Sequence, residues 1–106
     1  MKKFTILIPI FNDWESLKKL LIEINNSVKN IRDVQFDCVV VNDHSTIKNP
    51  EIKIPARINS VKIIHMKKNK GHARCNAFGI KYLSMSKNLD YLILMDGDGE
   101  DRPEEI

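Results

Sequence analysis

The sequence predicts an α/β fold: a doubly wound, mostly parallel sheet of about four strands with helices on both faces. Three observations carry this. Short apolar runs alternate with stretches of helical periodicity in the order strand, helix, strand, strand, helix, strand. The strand runs lack the in–out alternation of a half-exposed sheet, which points to strands covered on both faces. Polar clusters follow three of these strands, as expected where right-handed crossovers gather the strand C-termini along one edge.

The first run, Phe4 to Ile10 (FTILIPI), reads as a buried strand ending near Pro9. Asn12 then offers a helix N-cap, with Glu15 placed to complete a capping box. Trp14, Leu17, Leu20, Leu21, Ile24 and Val28 form one apolar face of a helix from about Asp13 to Val28. Phe36 to Val41 (FDCVVV) is the second strand, and Asn42 to Pro55 a polar loop with two prolines. Val61 to His65 (VKIIH) is the third strand. Gly71 opens the next helix, for which Ala73, Ala77, Ile80 and Leu83, flanked by Phe78, predict a narrow apolar stripe. Tyr91 to Met95 (YLILM) is the fourth strand, followed at once by the acidic segment Asp96 to Glu105. Arg102 to Ile106 begins like the first turn of a further helix that the sequence does not complete. A truncated single domain over residues 1–106 is the expectation.

Composition bounds the function. With 42% hydrophobic and 29% charged residues among 106, the chain is an ordinary globular domain. Its net charge of +3 is spread along the sequence, with no dense basic block of the kind that binds nucleic acid. No apolar run approaches the ~20 residues of a membrane span. The segment Phe4 to Phe11, broken by Pro9, is no secretory signal. A cytoplasmic location is expected, with Cys38 and Cys75 as reduced packing thiols.

Three clusters could carry chemistry. Asp96, Asp98, Glu100 and Asp101 crowd like charges directly after a strand. Such a group is either a solvated acidic turn or an oxygen-only site for Mg2+ or Mn2+, and the all-apolar strand before it favours the metal. Gly97 and Gly99 leave room for close approach. An EF-hand is excluded, because its sixth position would be Asp101 rather than Gly. In Asn42-Asp43-His44-Ser45, Asp43 could accept hydrogen bonds from a nucleobase or ribose, although a helix cap or Asx turn is commoner for such a residue alone. Lys67 to Arg74 places basic residues around Gly71 at a helix start, which suits a diphosphate, although a solvated basic loop is again the commoner case. Neither a Walker loop nor a Gly-x-Gly-x-x-Gly fingerprint is present.

Taken in order, these segments resemble the family 2 glycosyltransferases of GT-A fold. Ile6-Leu7-Ile8-Pro9-Ile10-Phe11-Asn12 is similar to that family's opening strand, and Val39-Val40-Val41-Asn42-Asp43-His44-Ser45 to its Val-Val-Asp-Asp-Gly-Ser segment. Asn69 to Asn76 resembles its Asn-x-Gly-x-x-x-Ala-Arg-Asn run, two residues tighter. Leu94-Met95-Asp96-Gly97-Asp98 matches its strand and Asp-x-Asp. The continuation to Glu104 looks like the Asp-Ala-Asp-Leu-Gln-x-Pro-Pro-Glu of polyprenyl-phosphate sugar synthases, the dolichyl-phosphate mannose synthase group. Asn42, His44, Glu100 and Arg102 depart from the family's usual residues.

The resemblance implies a Rossmann-like, nucleotide-sugar-binding N-terminal half of a GT-A domain. It implies a UDP- or GDP-linked donor bound by Pro9, Ile10, Phe11, Asp43, Gly71, Arg74, Asp96 and Gly97. It implies Mg2+ or Mn2+ held by Asp96, Asp98 and Glu100, and an acceptor that is a polyprenyl phosphate or a glycan. The catalytic base and acceptor pocket would lie in a second half, so this chain alone is expected to be inactive. The parent would work in the cytoplasm or at the cytoplasmic face of the membrane. Two other readings compete. Asp90 to Asp96 also resembles the phospho-acceptor strand of a Mg2+-binding receiver, but Pro9 to Asn12 stands where a receiver needs an acidic pair. A non-catalytic module that self-associates into a homo-oligomer through an uncovered sheet edge is the other.

Overall fold

The computed structural model describes residues 2–44, 51–68, 71–85 and 90–95. Six elements follow one another: β1 (Lys2–Ile10), α1 (Trp14–Val28), β2 (Val34–Asn42), β3 (Ile58–His65), α2 (His72–Ser84) and β4 (Tyr91–Leu94). The strands form one sheet in the order β3-β2-β1-β4, and every pairing is parallel. This is the predicted doubly wound α/β architecture. β1 and β2 pair without a break from Lys2↔Val34 to Ile10↔Asn42. β1 and β4 pair only from Phe4↔Tyr91 to Leu7↔Leu94.

Strand alternation sorts the core into two layers. Ile6, Ile8 and Ile10 of β1, with Phe36, Cys38 and Val40 of β2, face α1. There they meet Trp14, Leu17, Leu20, Leu21, Ile24 and Val28, the same six residues the helical spacing predicts. Leu7, Val39 and Val41 point the other way and meet Cys75 and Leu83 of α2. The helices therefore cover opposite faces, and the α1 layer is much the thicker. Arg57 ties the entry of β3 to this layer. Its N–H donates to Asn25 Oδ1 (2.8 Å), its guanidinium donates to the carbonyls of Ile31 and Val34, and it lies over the Phe36 ring.

Several expectations change. The N-cap of α1 is Asp13, without a side-chain cap bond, while Asn12 sits at φ 60°; the capping box does not form. β2 and β3 both start earlier than their apolar runs, because pairing with a neighbour extends a strand beyond its apolar residues. β3 and β4 are sheet edges among the described residues and are largely half-exposed or exposed, not covered on both faces.

Of the predicted stripe of α2, Leu83 is buried and the rest is not. Ala73, Ala77, Phe78 and Ile80 are exposed, and the row facing the sheet is Cys75, Gly79 and Leu83. Small residues win this face because the helix lies close to β1: a Cβ on Gly79 would stand 2.5 Å from Leu7 Cδ1 and 3.2 Å from Leu7 Cγ. The segment beginning at Arg102 lies outside the described residues.

Two predictions follow from this packing. Gly79→Ala gains up to ~1 kcal/mol of helix propensity but overpacks Leu7 at a cost of roughly 1–3 kcal/mol. The variant is expected to be less stable in urea unfolding, and Leu7→Ala in the same chain to recover part of the loss through coupling. The second concerns Asp37, which accepts hydrogen bonds from Gln35 (2.9 Å), Ser60 (2.6 Å) and Asn59 (2.8 Å). Burial alone would raise its carboxyl, but those three donors and the charge of Lys3 outweigh burial and hold it below its ordinary value of 3.8. A depressed folded-state value stabilises the fold above the unfolded value and is lost as pH falls through the folded one. Asp37→Asn should therefore flatten the stability curve below about pH 4, where wild-type Asp37 takes up its proton.

Candidate functional site

The site forms where β1 stops sharing its length between two neighbours. Backbone groups of successive strand residues point alternately to the two sides. Leu7 O accepts from Met95 N–H (3.0 Å) on the β4 side, and Ile10 O accepts from Asp43 N–H (2.8 Å) on the β2 side. Odd residues of β1 therefore address β4. Pro9, which has no N–H, falls on that side two residues past the last β1–β4 pair. Its missing donor costs the β2 ladder nothing, so β1 continues to Ile10 rather than ending at the proline. This is the switch point of the sheet, where open α/β folds bind ligands beyond the strand ends.

Around it the chain ends are linked by hydrogen bonds. Asn42 O accepts from Met66 N–H (2.8 Å), joining the ends of β2 and β3. The Asn42 amide donates to His65 Nδ1 (2.9 Å), so that nitrogen is the acceptor and the proton belongs on Nε2. The neutral amide at position 42 thus has a partner suited to it. His44, at φ 57°, donates through Nδ1 to Met66 O (3.3 Å).

Asp43 is the centre of the cluster. Its side chain is 1% exposed, and Oδ2 accepts from Gly71 N–H (2.8 Å) at the N-cap of α2. Gly71 holds φ 83°, a left-handed conformation that glycine tolerates best, and this turns its N–H toward the carboxylate. One helical turn on, Cys75 N–H donates to Gly71 O (3.0 Å). Burial first, then the Asp43 carboxylate, push the Cys75 thiol up to about 12. Cys38 is likewise raised to about 12, by burial and by the charge of Asp37. Both thiols stay protonated at neutral pH and are not nucleophiles.

The structure therefore brings Ile10, Asp43 and Gly71 together. Pro9 is buried beside them, and Phe11 follows at 36% exposed. Arg74 lies on the first turn of α2 with its side chain exposed. Asp96, Gly97, Asp98 and Glu100 lie outside the described residues, so the structure does not place them. Among the described residues no three His, Cys, Asp or Glu side chains gather to hold a metal ion. Cys75 is a residue that sequence reasoning treats as packing; that the Asp43 carboxylate, 32 positions away, raises its thiol is something no local pattern signals. A groove of about 680 Å³ elsewhere, lined by Lys18 and Ile22 of α1 and residues 51–56 less Ile52, contains none of these residues.

With this geometry in place, the comparison with known proteins is decisive. The model of glycosyl transferase family 2 matches residues 5–106. The chain belongs to that family. It is 31% identical to an undecaprenyl-phosphate 4-deoxy-4-formamido-L-arabinose transferase of Photorhabdus laumondii, over 100% of this chain and 32% of that protein. It is also 31% identical to an uncharacterized protein of Methanocaldococcus jannaschii, over 94% of this chain and 42% of the other. A poly(ribitol-phosphate) beta-N-acetylglucosaminyltransferase of Staphylococcus aureus is 26% identical over 92% of this chain and 29% of its own length. The chain thus spans less than half the length of each of these relatives. No helix of the described residues is long and apolar enough to cross a membrane.

Asp43→Ala should leave Gly71 N–H without its acceptor, at a cost of about 1–3 kcal/mol. Urea unfolding should show the loss. A thiolate absorbance titration should show one thiol ionising at lower pH than in the wild type, with burial still holding it above its ordinary value.

Proposed function

We propose that residues 1–106 are the nucleotide-sugar-binding part of a GT-A glycosyltransferase domain. Its donor is a UDP- or GDP-linked sugar, held with Mg2+ or Mn2+ at the Asp-x-Asp segment. The observation that supports this most is the link Ile10–Asp43–Gly71 at the switch point. It joins the ends of two strands to the start of a helix beside the strand end that leads directly into Asp96. In this reading Asp43 meets the nucleoside, with the backbone from Pro9 to Phe11 lining the same pocket. Gly71 and Arg74, at the N-terminus of α2, lie toward the diphosphate, where helix N–H groups and a guanidinium favour negative charge.

Asp96, Asp98 and Glu100 form an oxygen-only donor set, the kind that suits Mg2+ or Mn2+. A cation bound there would neutralise charge on the departing nucleoside diphosphate. The residues of this chain do the rest of the donor-side work: they orient the nucleotide and keep the leaving group in a fixed electrostatic setting. The acceptor is a polyprenyl phosphate or a glycan, by likeness to relatives whose names carry undecaprenyl phosphate and poly(ribitol phosphate). With a lipid acceptor, the whole protein would act at the cytoplasmic face of the membrane.

Thermal unfolding tests this reading. Mn2+ with UDP or GDP, at about ten times its Kd, should raise Tm by several degrees. The nucleotide without metal should do less, and Asp98→Ala should abolish the metal-dependent part. A chain whose Tm ignores every nucleoside diphosphate would not be a donor-binding module.

A further inference from the structure

β1, β2 and β3 end together on one rung of the sheet. Ile10, Asn42 and His65 are register partners there, so their side chains leave the sheet on one face, and Asp43 is the next residue of the chain after Asn42. Asn42 is buried, whereas His65 is exposed. The Asn42 amide nitrogen stands 2.9 Å from His65 Nδ1. An amide nitrogen can only donate, so Nδ1 accepts and the neutral ring keeps its proton on Nε2. Among the described residues that Nε2–H has no acceptor. His44, on the same edge, is the opposite case: its Nδ1 donates to Met66 O at 3.3 Å, which leaves Nε2 of the neutral ring as an acceptor. We propose that His65 is a base-reading residue of the nucleotide site: its Nε2–H, held in that tautomer by Asn42, donates to a carbonyl oxygen of the nucleobase.

This rests on the reading of the switch point as a nucleotide site, to which it adds selectivity for the base. Guanine and the uracil–thymine type of base carry a carbonyl acceptor where adenine carries an amino donor. A fixed N–H donor pairs with the first two and sets donor against donor with the third. The distances allow it. Neighbouring strands lie ~4.8 Å apart, so His65 stands roughly 10 Å from the end of β1, across Asn42 and within the length of a nucleoside. The amide at position 42 is what makes the donor permanent. A carboxylate there could only accept; it would draw the proton to Nδ1 and leave Nε2 of a neutral ring as an acceptor.

Nitrogen-15 NMR of the imidazole rings and calorimetric titration, both with Mg2+ present, test it together. In the wild-type chain at about pH 8, where imidazole is neutral, His65 should carry its proton on Nε2 and His44 on Nδ1. Adding UDP or GDP should shift the His65 Nε2 resonance. His65→Ala should weaken UDP and GDP roughly three- to tenfold, the order expected for one hydrogen bond, and His65→Gln should recover most of that loss. Both variants lack Nδ1, so the difference between them isolates the donor at the far end of the side chain. ADP should bind more weakly than UDP, and no more weakly to His65→Ala than to wild type. Circular dichroism identifies a variant that has failed to fold, and the wild-type spectra decide the matter should both fail. A His65 proton on Nδ1, an Nε2 resonance unmoved by bound nucleotide, equal binding by wild type and His65→Ala, or equal weakening by alanine and glutamine overturns the proposal, as does a loss for ADP as large as that for UDP. A wild-type chain that binds neither UDP nor GDP overturns the nucleotide reading itself; one that binds them and leaves His65 unmoved overturns the role of His65 alone.

Discussion

A strand inside a sheet has two ladders to satisfy, and β1 satisfies them over different lengths. On one side it pairs with β2 along its full course; on the other it pairs with β4 over only its middle four residues. Pro9 marks the difference. A residue without an N–H is normally excluded from a central strand, and here it is admitted because its backbone faces the side where the described pairing has already ended. Among the described residues β2 runs on beyond the end of β4, and there Asn42 and Asp43 converge with the end of β3 and the start of α2.

That convergence sets a buried carboxylate against an apolar sheet. Asp43 follows Val39, Val40 and Val41, three residues that could not hydrogen-bond it with their side chains. The charge is accommodated by its neighbour across the fold. The left-handed Gly71 aims an N–H at it from the start of α2, the helix that Gly79 lets lie close to β1. Site and packing are therefore one arrangement: the small residues that let the helix approach are those that let its first turn hold Asp43.

Much of this is legible in the sequence, and the limits have physical causes. The six buried residues of α1 are read correctly because they are large, and large apolar residues at helical spacing leave one face to bury. The face of α2 is misread because it is made of Cys and Gly as well as Leu, which weigh less in a hydrophobic pattern than exposed Phe78 and Ile80. The doubly wound sheet, with polar clusters at its strand C-termini, follows from the alternation of elements. The extra length of β2 and β3 does not, since pairing rather than composition extends them. Asp43 and Gly71 are legible as candidates by resemblance to a family, and a hydrogen bond joins them in the structure. The influence of Asp43 on the Cys75 thiol is not legible, because it acts across 32 positions and has no local signature.

The unequal thickness of the two core layers has its own consequence. α1 sits on β1 and β2 through six buried side chains, whereas α2 is held by Cys75, Gly79 and Leu83. Free energy of local opening tracks the apolar surface an element buries, so the α2 side is the one that opens first, at a cost below that of global unfolding. The part of the molecule that carries Gly71 and Arg74 is thus also the part with most freedom to rearrange. Anything that fastens the start of α2 to the end of β2, a bound ligand included, would be felt as a stiffening of that whole face.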